Sequence, residues 1–310
     1  MVWGLLFHPQ SPQTEVIAGL LRDILGLSAI VFVIVAGLVA VSLARTRRVG
    51  GQQEPRWSVR PARIEAAWTI TILIVLGGLF LATVRAMVLI DAPLDPNRSP
   101  DLVVTGHQWW WEARYPNGVA TTSEIHIPAR RRLLVRINSA DVIHDFWVPE
   151  LARKMDAVPG RDGYIWLEAN RPGRYQGMCS EFCGAQHAWM HFVVIADTEA
   201  DFSRWLELQS QPAIAPSEGS AAEGARLFLE KKCGDCHAIS GTSAKGGNGP
   251  DLTHILSREF LGAGISRNSP EALALWLTDP QAAKPGNRMP NAHLSEPEAR
   301  ALGAYLETLQ

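Results

Sequence analysis

Residues 179–190, CSEFCGAQHAWM, place two cysteines, a histidine and a methionine within twelve positions. Thiolate, imidazole and thioether groups are ligands that soft and borderline metal ions select. A disulfide loop is a second interpretation, but the other two cysteines also form a close pair beside a histidine, which favours metals over disulfides. A structural zinc site is a third, with the ligands Cys179, Cys183, His187 and His191. The zinc site leaves Met190 without a role.

The second cysteine pair lies in CGDCH, at positions 233–237. Cys-x-x-Cys-His is the attachment motif of c-type haem, in which Cys233 and Cys236 form thioethers and His237 binds the iron. A thioredoxin-like redox pair would require a preceding strand, whereas the upstream SAAEGARLFLEKK predicts a helix. Met289 is the one methionine after the motif and is predicted to be the second axial ligand.

The first cluster follows a region that is predicted to consist of strands. Short runs of β-branched and aromatic residues, separated by Pro, Gly and Asn, predict an antiparallel sandwich or barrel. The runs are DLVVTG, QWWWEARY, SEIHIP, RLLVRIN, DGYIWLEA and HFVVIAD. On such a scaffold, a blue-copper arrangement would use His144, Cys183, His187 and Met190. Cys179 is one thiolate too many for a single copper, and two bridging thiolates predict a pair of copper ions with His144 and His187 as terminal ligands.

Two uncharged apolar runs precede this region. Residues 24–43 and 66–84 are each long enough to cross a hydrocarbon core of about 30 Å as a helix. A cleaved signal peptide is the alternative for the first run, but such a peptide has a shorter apolar core and a basic leading segment, whereas Arg22 is the one basic residue before this run. The sequence therefore predicts a two-helix transmembrane hairpin, with spans at about residues 21–44 and 65–90.

The charge distribution predicts the orientation of the hairpin. Residues 1–90 carry eight Arg, no Lys and four acidic groups, whereas the whole chain has a net charge of −2. Six of these arginines lie between the two runs: Arg45, Arg47, Arg48, Arg56, Arg60 and Arg63. The positive-inside bias makes this loop cytoplasmic, so both termini and the metal domains are predicted on the periplasmic side of a bacterial plasma membrane. The mildly acidic remainder argues against a nucleic-acid partner.

The motifs DVIH, MCSEFCGAQHAWMHF and GHQWWWEARYP, preceded by two apolar spans, resemble subunit II of haem–copper cytochrome c oxidases over about residues 20–205. The haem region resembles a class I cytochrome c domain, as in the branch of that family whose subunit II carries a fused cytochrome c. The resemblance implies a multi-domain membrane protein. Its parts are an N-terminal segment with two transmembrane helices (1–98), a cupredoxin-like β-sandwich (99–208), a linker (209–220) and an all-α class I cytochrome c domain (221–310). The linker is rich in Pro, Ser and Gly and is expected to be flexible.

The resemblance also implies ligand roles. Cys179 and Cys183 would bridge both coppers of a copper A centre, with His144 and Met190 completing one copper. His187 and the backbone carbonyl of Glu181 would complete the other. The Glu181 side chain would face a Mg²⁺ or Mn²⁺ at the interface with subunit I, because a carboxylate suits a hard cation.

Two further residues match family positions. Trp109, the first of three consecutive tryptophans, is expected to be the point at which electrons enter the copper domain; the alternative is packing within an aromatic strand. Glu65 matches a glutamate near the mouth of a proton channel into subunit I. Its alternative is a carboxylate that the dipole favours in the first turn of a helix.

The implied function is electron transfer within a proton-pumping cytochrome c oxidase, from haem c to copper A and on to subunit I, which reduces oxygen to water. The implied partners are subunits I and III, membrane lipid, and a soluble or membrane cytochrome c or a quinol–cytochrome c reductase as electron donor. The chain itself is not expected to carry oxygen chemistry, because its apolar spans contain no histidine for haem a or copper B. The alternatives are a membrane-anchored copper A and haem c donor to another terminal reductase, and a zinc-stabilised sensor or scaffold.

Overall fold

The computed structural model describes residues 8–48, 61–91 and 98–310. Arg56 and Arg60 of the predicted cytoplasmic loop lie outside these ranges. The chain divides into two units, of which one comprises residues 13–91 and the other comprises residues 1–12 together with residues 92–310.

The smaller unit consists of two long helices, α1 (Pro12–Arg48) and α2 (Pro61–Ile90). Each begins at a proline, which is favoured at the first helical position because the missing N–H has no partner there anyway. Both helices are long and apolar enough to cross a membrane. Their large apolar side chains are mostly exposed, as a lipid-facing surface requires. The two predicted apolar helices are therefore confirmed, and α1 extends toward the N-terminus beyond its predicted span.

The copper-site domain is a sandwich of two five-stranded sheets. The first sheet contains, in spatial order, β3 (Ala120–Thr122), β2 (Trp110–Arg114), β1 (Leu102–His107), β5 (Leu133–Ser139) and β8 (Gly163–Leu167). The second contains β4 (Glu124–Pro128), β10 (His191–Asp197), β9 (Gly173–Cys179), β6 (His144–Trp147) and β7 (Met155–Ala157). The strand pairs are antiparallel except β1 with β5 and β4 with β10. The predicted sandwich is confirmed, with these two parallel pairs as the difference.

An aromatic cluster fills the sandwich beneath the copper site. Trp111, Phe146 and Phe192 are buried, and their ring centroids lie 4.6–5.6 Å apart. Alternate residues of β1 point into the same core, as the period-two geometry of a strand dictates. The tight packing of these rings gives the strands that carry the site a rigid base.

Helix α3 (Glu199–Gln209) closes the sandwich. The Thr198 side chain accepts a hydrogen bond from the backbone N–H of Asp201 and so caps the first turn. The helix packs its Trp205 edge-on against Tyr115, with 5.3 Å between the ring centroids.

The C-terminal domain consists of helices around a second apolar core. Its elements are α4 (Gly219–Glu230), α5 (Pro270–Thr278), α6 (Pro280–Ala283) and α7 (Glu296–Leu306), with a short hairpin formed by β11 (Phe260–Leu261) and β12 (Ser266–Arg267). Helices α4 and α7 cross at Gly224, where a Cβ atom would lie 1.9 Å from the Ala301 carbonyl oxygen. Only glycine permits this approach, so the crossing explains the choice of residue.

The segment between α3 and α4 has no helix or strand, as the sequence predicts, but it is hydrogen-bonded to the C-terminal domain. His254 Nε2 lies 3.1 Å from the Gln211 carbonyl oxygen. The Ala213 N–H donates to the Ser240 carbonyl at 3.0 Å. At the end of α3, just before the segment, Gln209 Nε2 donates to Ser257 Oγ at 3.2 Å. The expected flexible tether is therefore held in place along part of its length.

Candidate metal centre and haem cavity

The first cluster of predicted ligands assembles at one end of the second sheet. His144 begins β6, Cys179 ends β9, and the other predicted ligands lie in the loop that leads to β10. Because β6 pairs with β9, with Phe146 opposite Cys179, the sheet brings His144 close to Cys179 although 35 positions separate them in the chain. The loop that carries Cys183 then folds back over both.

The sulfur and nitrogen atoms of this cluster converge. The Cys179 and Cys183 sulfurs lie 3.7 Å apart, and His144 Nδ1 lies 3.9 Å from Cys179 Sγ. Cys183 Sγ lies 3.7 Å from His187 Nδ1 and 3.8 Å from Met190 Sδ. Donor atoms of His144, Cys179 and Cys183 all fall within 4.8 Å of one another, which is the separation expected of ligands that share metal ions.

These contacts bear on the two alternatives for the loop. The sulfur–sulfur distance of 3.7 Å is far longer than a disulfide bond of about 2.05 Å, so both thiols are free. The Cys2His2 set predicted for zinc would include His191, but His191 is exposed at the start of β10 and donates its N–H to the Ala263 carbonyl. The buried histidine beside the cysteines is His144 instead.

Electrostatics favour a thiolate within the pair. The contact between the two thiols lowers the pKa of Cys179 and raises that of Cys183, so the pair loses its first proton more easily than its second. Burial alone would lower the pKa of His144, but its contacts with Cys179 and Asp141 outweigh burial and raise it. Metal binding requires deprotonated thiols and a neutral imidazole, so loading this site releases protons.

Asp141 is a supporting residue that the sequence prediction did not single out. Its Oδ1 lies 2.8 Å from His144 Nε2, which directs His144 Nδ1 toward the cysteines. Its Oδ2 accepts the backbone N–H of Gln108 at 2.7 Å, so it is itself held. Carboxylates commonly orient metal-binding histidines in this way. The signal in the sequence is an aspartate three residues before the histidine, in DVIH.

Gly106 of β1 is a second supporting residue. A Cβ atom at this position would lie 2.8 Å from His144 Cδ2 and 3.2 Å from the Trp111 ring. The imidazole therefore packs closely against the backbone at Gly106, in a space that a larger residue would close.

Of the remaining predicted residues, Glu181 and Trp109 lie beside the cysteines, whereas Glu65 lies on α2. The Glu181 carbonyl oxygen lies 3.2 Å from Cys179 Sγ, and the Glu181 side chain is exposed. Trp109 Nε1 donates to the Cys183 carbonyl oxygen at 3.0 Å. Gln108 Nε2 donates to the same oxygen at 2.6 Å. Glu65 is the fifth residue of α2 and is exposed. Because it lies beyond the first turn, stabilisation of a carboxylate by the helix dipole does not explain its position.

The haem-attachment residues line a large cavity. Cys233 and Cys236 follow α4, and these two cysteines, His237 and Met289 all border a cavity of about 760 Å³. Its volume is in the range of about 300–1,000 Å³ that is usual for cofactor sites. Apolar side chains from α4, α5 and α7 form much of its wall: Phe228, Leu273, Leu277, Leu302 and Leu306. A spacious apolar cavity with two cysteines, a histidine and a methionine at its border fits a covalent haem.

His237 is oriented for binding iron. Its Nδ1 lies 2.8 Å from the Pro250 carbonyl oxygen, so this nitrogen donates its proton there and leaves Nε2 as the acceptor. Burial lowers the pKa of His237, which favours the neutral imidazole that a metal requires. A Cβ atom at Gly249 would lie 2.7 Å from His237 Cε1, so the glycine makes room for the ring.

Met289 lies in the loop between α6 and α7. Trp276 Nε1 of α5 donates to its sulfur at 3.1 Å, and its backbone N–H donates to Asn287 Oδ1 at 2.7 Å. The copper domain borders the same cavity through residues of β1, β2 and the turn between them, including Gln108, Trp109 and Trp110. The haem cavity therefore extends to the residue predicted to receive electrons.

Comparison with known families agrees with both sites. The family model described as cytochrome c oxidase subunit II, periplasmic domain, matches residues 117–197, and the model described as cytochrome c matches residues 221–310. The cytochrome c oxidase subunit 2 of Alkalihalophilus pseudofirmus is 35% identical over 309 residues, covering 97% of this chain and 90% of the relative. The chain belongs to the cytochrome c oxidase subunit 2 family.

Two further known proteins are similar to this chain. The cytochrome c oxidase subunit 2 of Bacillus subtilis is 30% identical over 286 residues, which cover 86% of this chain and 80% of the relative. The crystal structure of the periplasmic domain of the Bradyrhizobium japonicum cytochrome oxidase subunit II is 30% identical, with a TM-score of 0.34. The match covers 36% of this chain and 95% of the chain in that structure.

Membership of the subunit 2 family confirms the coarser predictions. The chain is an oxidase subunit with an electron-transfer role, it binds copper and haem, and it associates with subunit I of a haem–copper oxidase. It is anchored in the membrane by two apolar helices and carries periplasmic domains.

Proposed function

We propose that this chain is the electron-transfer subunit II of a proton-pumping cytochrome c oxidase, which passes electrons from haem c to a dinuclear copper A centre and on to subunit I, where oxygen is reduced to water. The observation that carries the proposal is the position of Trp109. Its side chain borders the haem cavity and donates a hydrogen bond to the Cys183 carbonyl, so one residue touches both sites. Trp109 is accordingly the residue at which electrons enter the copper domain.

The donor set supports two copper ions rather than one zinc ion. Cys179 and Cys183 would bridge both ions, His144 and Met190 would complete one, and His187 and the Glu181 carbonyl would complete the other. The four haem residues would be Cys233, Cys236, His237 and Met289. When bound, copper A and haem c each supply a centre that accepts and releases one electron at a time.

The surrounding residues exclude water from the copper ligands and hold them in position. His144 and Met190 are fully buried, and Cys179 and Cys183 are buried beside them. An apolar surrounding limits solvent access and so tunes the redox potential of a metal site. The ring cluster beneath the site and the carboxylate of Asp141 hold the His144 ring in one orientation.

Two peripheral roles belong to the same proposal. The Glu181 side chain is exposed, which leaves its carboxylate available to a Mg²⁺ or Mn²⁺ at the interface with subunit I. Glu65 is exposed on α2, where it can contribute to the mouth of a proton channel in subunit I. Subunit III and a cytochrome c, or a quinol–cytochrome c reductase, complete the expected partners. Both termini are expected on the periplasmic side.

The test is purification of the tagged chain from membranes, followed by metal analysis and visible and near-infrared spectroscopy. We expect two coppers and one covalent haem per chain, the absorption of a mixed-valence copper pair, and a co-purifying subunit with haem a. One zinc per chain in place of copper would refute the copper assignment. Copper and haem in a complex with a different terminal reductase would refute the oxidase assignment and support the alternative donor function.

A further inference from the structure

The haem domain and the copper domain meet through a lysine that is buried between them. Lys284 follows α6 and is 3% exposed. Its Nζ donates to the carbonyl oxygen of Gly262 in its own domain at 2.9 Å. It also reaches the carbonyl oxygens of Trp189 at 3.2 Å and Trp109 at 3.5 Å, both in the copper domain. Lysine is rarely buried to this degree, and a buried ammonium must find hydrogen-bond partners because it has lost its water.

A carboxylate makes the reciprocal contact. Glu124 of β4, in the copper domain, is 7% exposed. It accepts the backbone N–H groups of Glu259 at 2.8 Å and Phe260 at 2.9 Å, at the start of β11 in the haem domain. Each domain thus contributes one buried charged side chain that forms hydrogen bonds with backbone groups of the other domain. Contacts of this kind are directional, so they fix an orientation as well as a distance.

The rim of the interface adds weaker contacts. Arg174 of β9 forms an ion pair with Glu259, and Arg288 donates to the Gln108 side chain. Arg288 also lies 4.0 Å from Asp141, the residue that orients His144. These side chains are partly exposed, and exposed ion pairs contribute little to stability. The buried lysine and glutamate are therefore the side chains most able to hold the domains together, alongside the backbone hydrogen bond from His191 to Ala263.

We propose that Lys284 is a positioning residue that docks the haem domain in one fixed place on the copper domain. The purpose of the docking rests on the proposed function: it keeps the wall of the haem cavity against Trp109. Lys284 and Met289 belong to the same stretch of chain, residues 284–289, so the segment that carries the predicted axial ligand also carries the docking cation. Removal of the ammonium group would leave carbonyl oxygens of both domains without their donor, which is costly for buried groups.

Hydrogen exchange of the full chain tests this docking. The chain is purified with its copper and haem and compared with Lys284→Met, which retains an apolar side chain but no donor. Lys245→Met, at an exposed lysine of the same domain, is the matched control. We expect the amides of Glu259 and Phe260 to exchange about tenfold faster in Lys284→Met, which corresponds to about 1.4 kcal/mol of lost docking. Lys284→Gln, which keeps an N–H donor, should restore part of the protection.

The amides within α4, α7 and β10 show whether each domain remains folded. Unchanged exchange of Glu259 and Phe260 in Lys284→Met, with both domains folded, would overturn the proposal. If Lys284→Met unfolds the haem domain, the partly exposed ion pair between Arg174 and Glu259 provides the test of docking instead. Arg174→Glu should then accelerate the same amides about twofold to fourfold, and combining it with Glu259→Arg should reverse the change. Failure of either step would also overturn the proposal.

The same samples separate this proposal from the proposed function. Copper and haem contents and the copper spectrum are recorded before each exchange experiment. A wild-type chain without two coppers would refute the proposed function whatever its amides do. A chain with both cofactors but no effect of Lys284 on exchange would refute only the docking.

Discussion

The copper site and the haem site are built by different means. Strand pairing brings His144 to Cys179, and the donor atoms of His144, Cys179 and Cys183 lie within 4.8 Å of one another. The haem residues border a cavity of about 760 Å³ instead, and Met289 reaches it from a loop without regular structure. A site whose ligands are set by a sheet should be sensitive to small changes in the groups that support them. A site formed by helices around a cavity should depend chiefly on the ligands themselves.

Loss of one bridging sulfur should have the largest effect. Cys179→Ser should abolish the mixed-valence copper spectrum, because one thiolate cannot hold the pair. Oxidase activity should fall by more than about a hundredfold, the upper range for changes in the groups that support a ligand. The haem content should stay normal because the two sites have separate ligands. A two-copper spectrum that survives this substitution would contradict the ligand assignment.

The second-largest effect should come from replacing a ligand of the haem. Met289→His should lower the midpoint potential of the haem, because axial ligands set this potential over a range of about 0.8 V and a thioether raises it relative to imidazole. A redox titration monitored at the haem absorption measures the change, with Met155→Leu in the copper domain as the control. The copper spectrum should not change. An unchanged potential in Met289→His would mean that Met289 only packs.

A supporting residue should matter at the copper site. Asp141→Asn keeps the shape of the side chain but weakens the hold on His144, so copper affinity should fall by about 10–100-fold. Competition with a copper chelator measures this affinity. Asp162→Asn, at an exposed position just before β8 in the same domain, is the matched control and should have little effect. Equal affinities in the two variants would show that the sheet alone positions the histidine.

The smallest effect should come from one added methyl group. Gly106→Ala places a carbon against the His144 ring, and we expect it to lower the free energy of unfolding by about 1–3 kcal/mol. Gly163→Ala on β8 is the control, because its new carbon meets the flexible end of the Met155 side chain. Thermal unfolding of the two variants makes the comparison. A larger loss in Gly163→Ala would contradict the view that the histidine ring has no room to move.

Much of the fold could be predicted from the sequence because its strands follow local patterns. Every strand-like run of the sandwich falls in a strand, and the helix predicted from SAAEGARLFLEKK is α4. Four strands of the sandwich were not predicted: β3, β6, β7 and β9. They are short, or they carry the glycines and polar residues of a site, so their extended form depends on pairing with neighbours. Two of them, β6 and β9, bear predicted copper ligands.

The types of metal ligand could be predicted from the sequence, but the contacts that select among them could not. Spacing alone left zinc and copper open, since the choice between His144 and His191 depends on a contact across the sheet. Asp141 became recognisable only when the turn before β6 placed it against the imidazole. Lys284 could not be predicted at all, because lysine is normally exposed and its partners are backbone carbonyls from distant parts of the chain.

Electron transfer from haem c to copper A within one chain is the central claim, and its rate at several dilutions is the most direct test. Electrons are injected into the haem by a flash in the assembled oxidase, and oxidation of the haem is followed together with reduction of the copper. For a domain docked beside Trp109, we expect one rate that is independent of protein concentration and nearly independent of salt, because charge steering acts on diffusional encounters. A rate that falls in proportion to dilution would show that the fused haem domain is not the direct donor to copper.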